Sequence, residues 1–306
     1  MKYSVIAIAL LLLAVPSMAF WSTGHMIIAR IAMDELKNKD PALFNKIQNE
    51  IDILTDFSME RDHSFVESAV WADDNKAIQW SAFNEWHFVD TPVIAPDFTG
   101  ETEIENMNAT WAIHEMYKTL NHKKPKFDSG LALSFAWRYM IHLVGDIHQP
   151  LHASSLYSAK FPNGDRGGNS FKINYPDNKE IKNLHALWDA CVDQYGSIWA
   201  PASAEEWDNL GKFAANITAQ FPRDKVAQRV RELDERKWAT EMNQIAKDVV
   251  YDGIEPNSTP SAEYIARGRQ VVNEQLAVGG YRLADTMLGL KASLDARSIV
   301  KELLAQ

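Results

Sequence analysis

Eleven consecutive residues, His142-Leu143-Val144-Gly145-Asp146-Ile147-His148-Gln149-Pro150-Leu151-His152, carry four side chains able to hold a metal ion, and their pattern begins on a helix. On a helix, residues four apart lie on one face, so His142 and Asp146 can address a common ion. Pro150 ends that helix and lets His152 swing toward a second ion. His148, six positions after His142, falls on roughly the opposite side; it is left out of the site and expected to be structural or exposed. A second pair at the same spacing, His185 and Asp189 in His185-Ala186-Leu187-Trp188-Asp189, raises the first above coincidence.

The 306 residues are 46% hydrophobic, enough for a large buried core, and one domain over 20–306 is expected. Residues 1–19 read as a secretory signal peptide: Lys2 at the start, an apolar run from Val5 to Val15, then Ser17 and Ala19 around Met18. That run is too short to span a bilayer comfortably, and no second long apolar segment follows. The expected product is secreted, or delivered to a lysosome- or vacuole-like lumen, with no stable membrane association. Export usually invites disulfides, yet Cys191 is the only cysteine, so another staple is needed and metals can supply it. Asn108-Ala109-Thr110, Asn216-Ile217-Thr218 and Asn257-Ser258-Thr259 match the glycosylation acceptor pattern of a eukaryotic secretory route.

Cleavage after Ala19 makes Phe20 the first residue, with His25 five positions on. A free α-amino group has a pKa of roughly 8, so near neutrality it can lose its proton and ligate a metal together with its own carbonyl. Taken alone, Phe20 and Trp21 also read as core anchors and His25 as the start of a helix. Apolar spacing predicts amphipathic helices over Met26–Leu36 and Pro41–Leu54, and further helices over Trp111–Leu120 and Gly130–Ile147. Between the second and third of these, Trp71-Ala72-Asp73-Asp74-Asn75-Lys76 offers a carboxylate for metal and, one turn on, a cation for phosphate. Glu85-Trp86-His87-Phe88-Val89-Asp90 alternates like an extended segment. Residues 154–176, with Asn163-Gly164-Asp165 and Gly167-Gly168-Asn169, read as a loop or irregular hairpin. The C-terminal third reads as long helices, one striped by Val226, Val230, Leu233, Trp238, Met242, Ile245 and Val249, another by Val272, Leu276, Leu283, Met287 and Leu290. The fold class expected is all-α, with one small irregular hairpin.

The candidate ligands are the main chain of Phe20 and the side chains of His25, Asp73, His87, His142, Asp146, His152, His185 and Asp189. A His- and Asp-rich set without Cys suits catalytic zinc, and it is too large for one ion. Clustered ions suit phosphoryl displacement.

The order and spacing of these residues resemble the zinc-dependent single-strand-specific nucleases of fungal type, whose relatives include plant bifunctional nucleases and protozoan 3'-nucleotidase/nucleases. The resemblance runs from the Gly24-His25 start through Trp-Ala-Asp, His-Phe-Val-Asp, His-x-x-x-Asp-x-x-Gln-Pro-Leu-His, Gly-Gly-Asn and His-x-x-Trp-Asp to Trp238-Ala239-Thr240-Glu241. It implies a mainly helical fold related to bacterial phospholipases C. It implies three zinc ions: one on Asp73, His87, His142 and Asp146, one on His152, His185 and Asp189, and one on the Phe20 amino and carbonyl groups with His25, bridged to the first by Asp146. It further implies a shared water as nucleophile, 5'-phosphate products from single-stranded RNA and DNA, and 3'-nucleotidase activity. Asp73, Lys76 and Asp146 would carry the catalysis, with Phe88 stacking on a base and Asp90 and Asn169 bonding its edge. Phe20 departs from the Trp usual at that place, which main-chain ligation tolerates. A monomer with no obligate protein partner is expected. The rival readings are a phospholipase C or phosphomonoesterase with the same metals, and a non-catalytic metal-binding protein. Phe88, Asp90 and Gly167-Gly168-Asn169 favour nucleotides over lipid, and Lys76 beside Asp73 argues against a protein without catalysis.

The formal charge is −10, and −11 without residues 1–19, so no broad basic surface holds a polyanion. Positive charge supplied by ions in a cleft makes a small footprint. The slope of log activity against log salt is therefore expected to be shallow, and a steep one would refute the small footprint.

Overall fold

The computed structural model describes residues 20–57, 64–77, 81–123 and 130–304. The proposed signal peptide lies outside them. Among the described residues the chain is helical apart from one two-stranded parallel sheet, as the all-α reading expects.

Helix α1 (Ser22–Lys39) enters the core at once: every residue from Ser22 to Ala29 is buried. Asp40 stops it and caps α2 (Pro41–Asp52), its Oδ1 accepting from Leu43 N at 3.0 Å, with Pro41 at a first-turn position where no donor is missed. Then come α3 (Trp71–Ala77), a 3₁₀ segment Ser81–His87, strand β1 (Thr91–Ile94), α4 (Ala109–Leu120) and α5 (Gly130–Asp146). Helix α5 is buried from Ala136 to Asp146 on all sides, which explains its weak amphipathic pattern. Glu50 of α2 anchors its middle, accepting from Trp137 Nε1 at 2.8 Å and pairing with Arg297 at 2.9 Å.

After α5 a 3₁₀ turn Pro150–His152 leads to β2 (Ser154–Tyr157) and α6 (Leu184–Asp189). Helices α7 (Ala204–Gln220), α8 (Ala227–Val230), α9 (Glu235–Ile245), α10 (Ala262–Gly289) and α11 (Lys291–Leu304) complete the chain. Helix α10 packs on α1 where Gly280 lies: a Cβ there would sit 2.6 Å from Ile31.

Strands β1 and β2 pair in parallel with Thr91 opposite Ser154 and Ile94 opposite Tyr157. The reading of 154–176 as a loop or irregular hairpin is corrected only at 154–157, because four residues paired with a partner beyond two helices leave no local signature; 158–176 is turns and irregular chain, with one antiparallel bridge from Lys172 to Asn183. The extended reading of 85–90 is also corrected: residues up to His87 close a 3₁₀ segment, and extension begins at Thr91. Helix α5 ends at Asp146 rather than at Pro150, which opens the next turn. The stripe Val226–Val249 is divided, since Asp234 caps a new helix with its Oδ1 on Arg236 N, and Leu233 is 43% exposed. The stripe on α10 is fully buried, as expected. Among the sequons, Asn108 is the cap of α4, its side chain buried and bonded to Thr110 N, Trp111 N and Glu105 O, so it is not an open acceptor. Asn216 and Asn257 are exposed.

Candidate metal centre

Eight predicted ligands from six segments converge: His25 (α1), Asp73 (α3), His87 (end of the 3₁₀ segment), His142 and Asp146 (α5), His152 (the Pro150 turn), and His185 and Asp189 (α6). None is more than 5% exposed. Two groups match the expected sets. His87, His142 and Asp146 bring their ligand atoms within 4.8 Å of one another, and so do His152, His185 and Asp189. Asp73 Oδ1 stands 3.7 Å from both His87 and His142, completing the first set.

Asp146 joins the groups. Its Oδ2 lies 2.9 Å from His87 Nδ1 and 3.2 Å from His142 Nε2, while Oδ1 lies 3.3 Å from His25 Nε2 and 3.9 Å from His152 Nδ1. His25 also shares a group with Asp73 and His142, on whose ring it stacks at 4.1 Å and 15°. Phe20 is fully buried, edge-on to His25 at 6.4 Å, and Trp21 N donates to Asp189 O at 2.8 Å, so the segment leading into α1 is pinned to the second group.

The rings are aimed by their unused nitrogens. Nδ1 of His142, His152 and His185 sits 2.6, 2.6 and 2.5 Å from the carbonyls of Ala69, His87 and Gly167, which leaves each Nε2 facing inward. Such carbonyl ties fix the tautomer that a metal requires. Both nitrogens of His25, Nε2 of His87 and His152, and Oδ1 of Asp146 are buried without a well-formed hydrogen bond among the described residues. Orphaned lone pairs at this density are costly unless a cation takes them up. The donor set, imidazoles with carboxylates, fits divalent metal binding.

Electrostatics agree. Burial opposes ionisation of Asp73, but the Lys76 ammonium, 2.8 Å away, and His142 and His87 outweigh it and hold the carboxyl at about 2. Burial and Lys76 push His87 down to about 4. Burial acts downward on His152 too, yet Asp189 and Asp146 raise it to about 9. An entering dication would displace that proton.

Of the proposed substrate residues, Phe88 is half-buried beside His87. Asp90 adopts a left-handed φ of 56°, which Asp tolerates. Its carboxyl is raised to about 6 by burial and by Asp165, against the pull of His185 and His152, which places it at the second group. Asn169 follows the Gly167-Gly168 turn that holds His185, its Nδ2 on Arg166 O at 2.9 Å. His148, excluded by the helical angle, is buried in a structural role: Nδ1 meets Val144 O at 2.7 Å and Nε2 accepts from Arg282 at 3.0 Å.

Three residues have supporting roles that the sequence did not assign, Gly167 having been read only as part of the Gly-Gly-Asn motif. Gln149 donates to Asp189 at 2.6 Å and accepts from Leu151 N at 2.6 Å, tying the turn that carries His152 to α6 within the second group. Gly167, at φ 58°, presents the His185-binding carbonyl, and a Cβ there would meet Leu151 O at 2.4 Å. Gly145 gives His25 its space, since a Cβ would stand 2.3 Å from His25 Nδ1. A glycine inside a helical pattern was the available signal.

The family model for S1/P1 Nuclease matches residues 20–291. Similar proteins include Endonuclease 2 of Arabidopsis thaliana, 30% identical over 90% of this chain and 92% of its own. Nuclease S1 of Aspergillus oryzae is 26% identical over 91% and 94%, and Nuclease P1 of Penicillium citrinum is 26% identical over 71% and 81%.

Gly145→Ala tests the steric support of His25. Helix propensity alone favours Ala by about 1 kcal/mol. The clash is expected to prevail: at least one metal equivalent lost and activity down about tenfold or more, read by metal analysis and kinetics. Unchanged metal content and rate would mean that His25 has room to shift.

Proposed function

The chain belongs to the S1/P1 nuclease family and is a phosphodiesterase hydrolase, a single-strand-specific endonuclease; on that premise we propose that it is zinc-dependent, cleaves RNA and DNA to 5'-phosphate products, and also acts as a 3'-nucleotidase. The observation that carries this reading is Asp146, whose two oxygens face different histidines at the centre of eight buried ligands.

Three zinc ions are proposed, one on Asp73, His87, His142 and Asp146, one on His152, His185 and Asp189, and one on the Phe20 main chain with His25 and Asp146. Bound there, they would supply water activation and charge neutralisation at phosphorus. In the net reaction water oxygen joins phosphorus, the bond from phosphorus to the 3'-oxygen breaks, and that oxygen leaves as a hydroxyl carrying a water proton. Lys76, its side chain only 8% exposed and held against Asp73, places a cation where charge develops. Phe88 offers a ring face to an unpaired base, and Asp90 and Asn169 offer polar groups to its edge. Residues 1–19 are proposed to be removed on export, 20–306 forming the catalytic domain. No helix among the described residues is long and apolar enough to cross a membrane.

Product analysis of a single-stranded RNA oligonucleotide, with chelator and with zinc added back, tests the reading. Cleavage to 5'-phosphate ends that chelator abolishes and zinc restores is the expected result. No cleavage by fully metallated protein would overturn it and make phospholipid the next substrate. Extra residues left before Phe20 are expected to remove one metal and most activity, because a peptide nitrogen cannot replace an amine as ligand. A tagged form with full metal content and rate would refute the amino-terminal site.

A further inference from the structure

Many cations of this acidic chain are paired with carboxylates: Arg223 with Glu35 and Asp285, Arg229 with Glu241 and Glu274, Arg297 with Glu50. Others are not, and two of these stand in the turn that holds His185. It carries Arg166 and Lys172, both exposed, and neither is within ion-pair distance of a carboxylate among the described residues. Arg166 is also held at φ 58°, a conformation that a long L side chain rarely adopts and that here persists beside the metal centre.

The turn fixes where these cations stand. Gly167 O and Gly168 O receive His185 Nδ1 and His185 N at 2.5 and 3.4 Å. Asn169 then folds back, its N and Nδ2 donating to Arg166 O at 3.2 and 2.9 Å. Lys172 Nζ donates to Asn169 O at 3.1 Å, and Lys172 O accepts from Asn257 N at 2.6 Å, so the residue is held from two sides. An ammonium has three donors, and one carbonyl leaves the others for an anion. The group is thus set against the main chain of the residue assigned to a base edge.

We propose that Lys172, with Arg166, forms a phosphate subsite for a strand that continues beyond the scissile bond. This rests on the nuclease reading and on Asn169 at the base. A substrate whose only phosphate is the scissile one gains nothing from such a subsite. A longer strand gains affinity without change in chemistry, since phosphate contacts position a strand rather than react with it. Two cations remain compatible with a shallow salt slope.

The test compares a dinucleoside monophosphate with a single-stranded hexanucleotide, using processed, zinc-loaded wild-type protein and the variants Lys172→Gln, Arg166→Gln/Lys172→Gln and Lys172→Arg. The preference in kcat/KM for the hexanucleotide is expected to fall roughly three- to fivefold in Lys172→Gln, the range of an exposed ion pair, and further in the double variant. The loss should lie in KM, and Lys172→Arg should recover most of it. On the hexanucleotide the salt slope should shrink by about 0.7 per charge removed. An unchanged preference and slope would overturn the subsite. Equal losses on both substrates would overturn it too, assigning Lys172 to support of Asn169 instead. Wild-type protein that cleaves neither substrate would overturn the nuclease reading and this inference with it.

Discussion

The buried carboxylate of Asp146 is the constraint on which the rest depends. A lone ionised carboxylate in a protein interior costs several kcal/mol, and the attraction of its partners must offset that cost. Burial opposes ionisation of Asp146, yet His142, His87 and His25 hold it well below the usual carboxylate range. It can remain charged only while histidines from α1, α5 and the segment before β1 stay within reach. Each of those elements is thereby required to cross the same point. With Cys191 as its single cysteine, the chain has no disulfide to impose that convergence. The ligand cluster takes over the role of a staple, coupling site and fold through one set of contacts.

The small parallel sheet serves the same centre. Val89 N donates to His152 O at 2.8 Å and Thr91 N to Ala153 O at 3.0 Å, while His152 Nδ1 meets His87 O. A ligand of the first group and a ligand of the second therefore share one hydrogen-bonded ladder. Asn243 of α9 closes its edge, donating to Thr91 O at 3.0 Å and Ser154 Oγ at 3.1 Å. Four residues per strand would be marginal alone. Here the strands need only fix a distance between two histidines, and the helices around them supply the burial.

What was legible in the sequence was what is local. His142 with Asp146 and His185 with Asp189 are pairs whose geometry a helix dictates, and both formed as spacing required. The same geometry put His148 out of reach, although its anchor, Arg282, lies in α10 and could not be read from α5. His25, Asp73 and His87 were candidates by residue type alone, and only the resemblance grouped them with particular partners, because no local rule relates α1 or α3 to α5. The β1–β2 ladder left no trace, since its partners are separated by two helices. Gly145 was ambiguous for the same reason: a glycine in a helix signals close approach, but the approaching ring belongs to another element.

Charge distribution follows from these requirements. An acidic surface repels a polyanion, so binding must be confined to places where positive charge is fixed in space. Lys76 is a charge fixed in this way, held by Asp73 at the cluster itself. The Arg166–Lys172 turn is another, and it is built on the carbonyl that aims His185. Phe88, half-buried next to His87, is the ring proposed to stack on a base, and a paired base could not reach such a ring face without leaving its stack. Opening a duplex costs a few kcal/mol per base. On the proposed placement of Phe88, preference for single strands would come from weak attraction along the backbone combined with an access requirement at the base, and a more basic surface around the site would relax it.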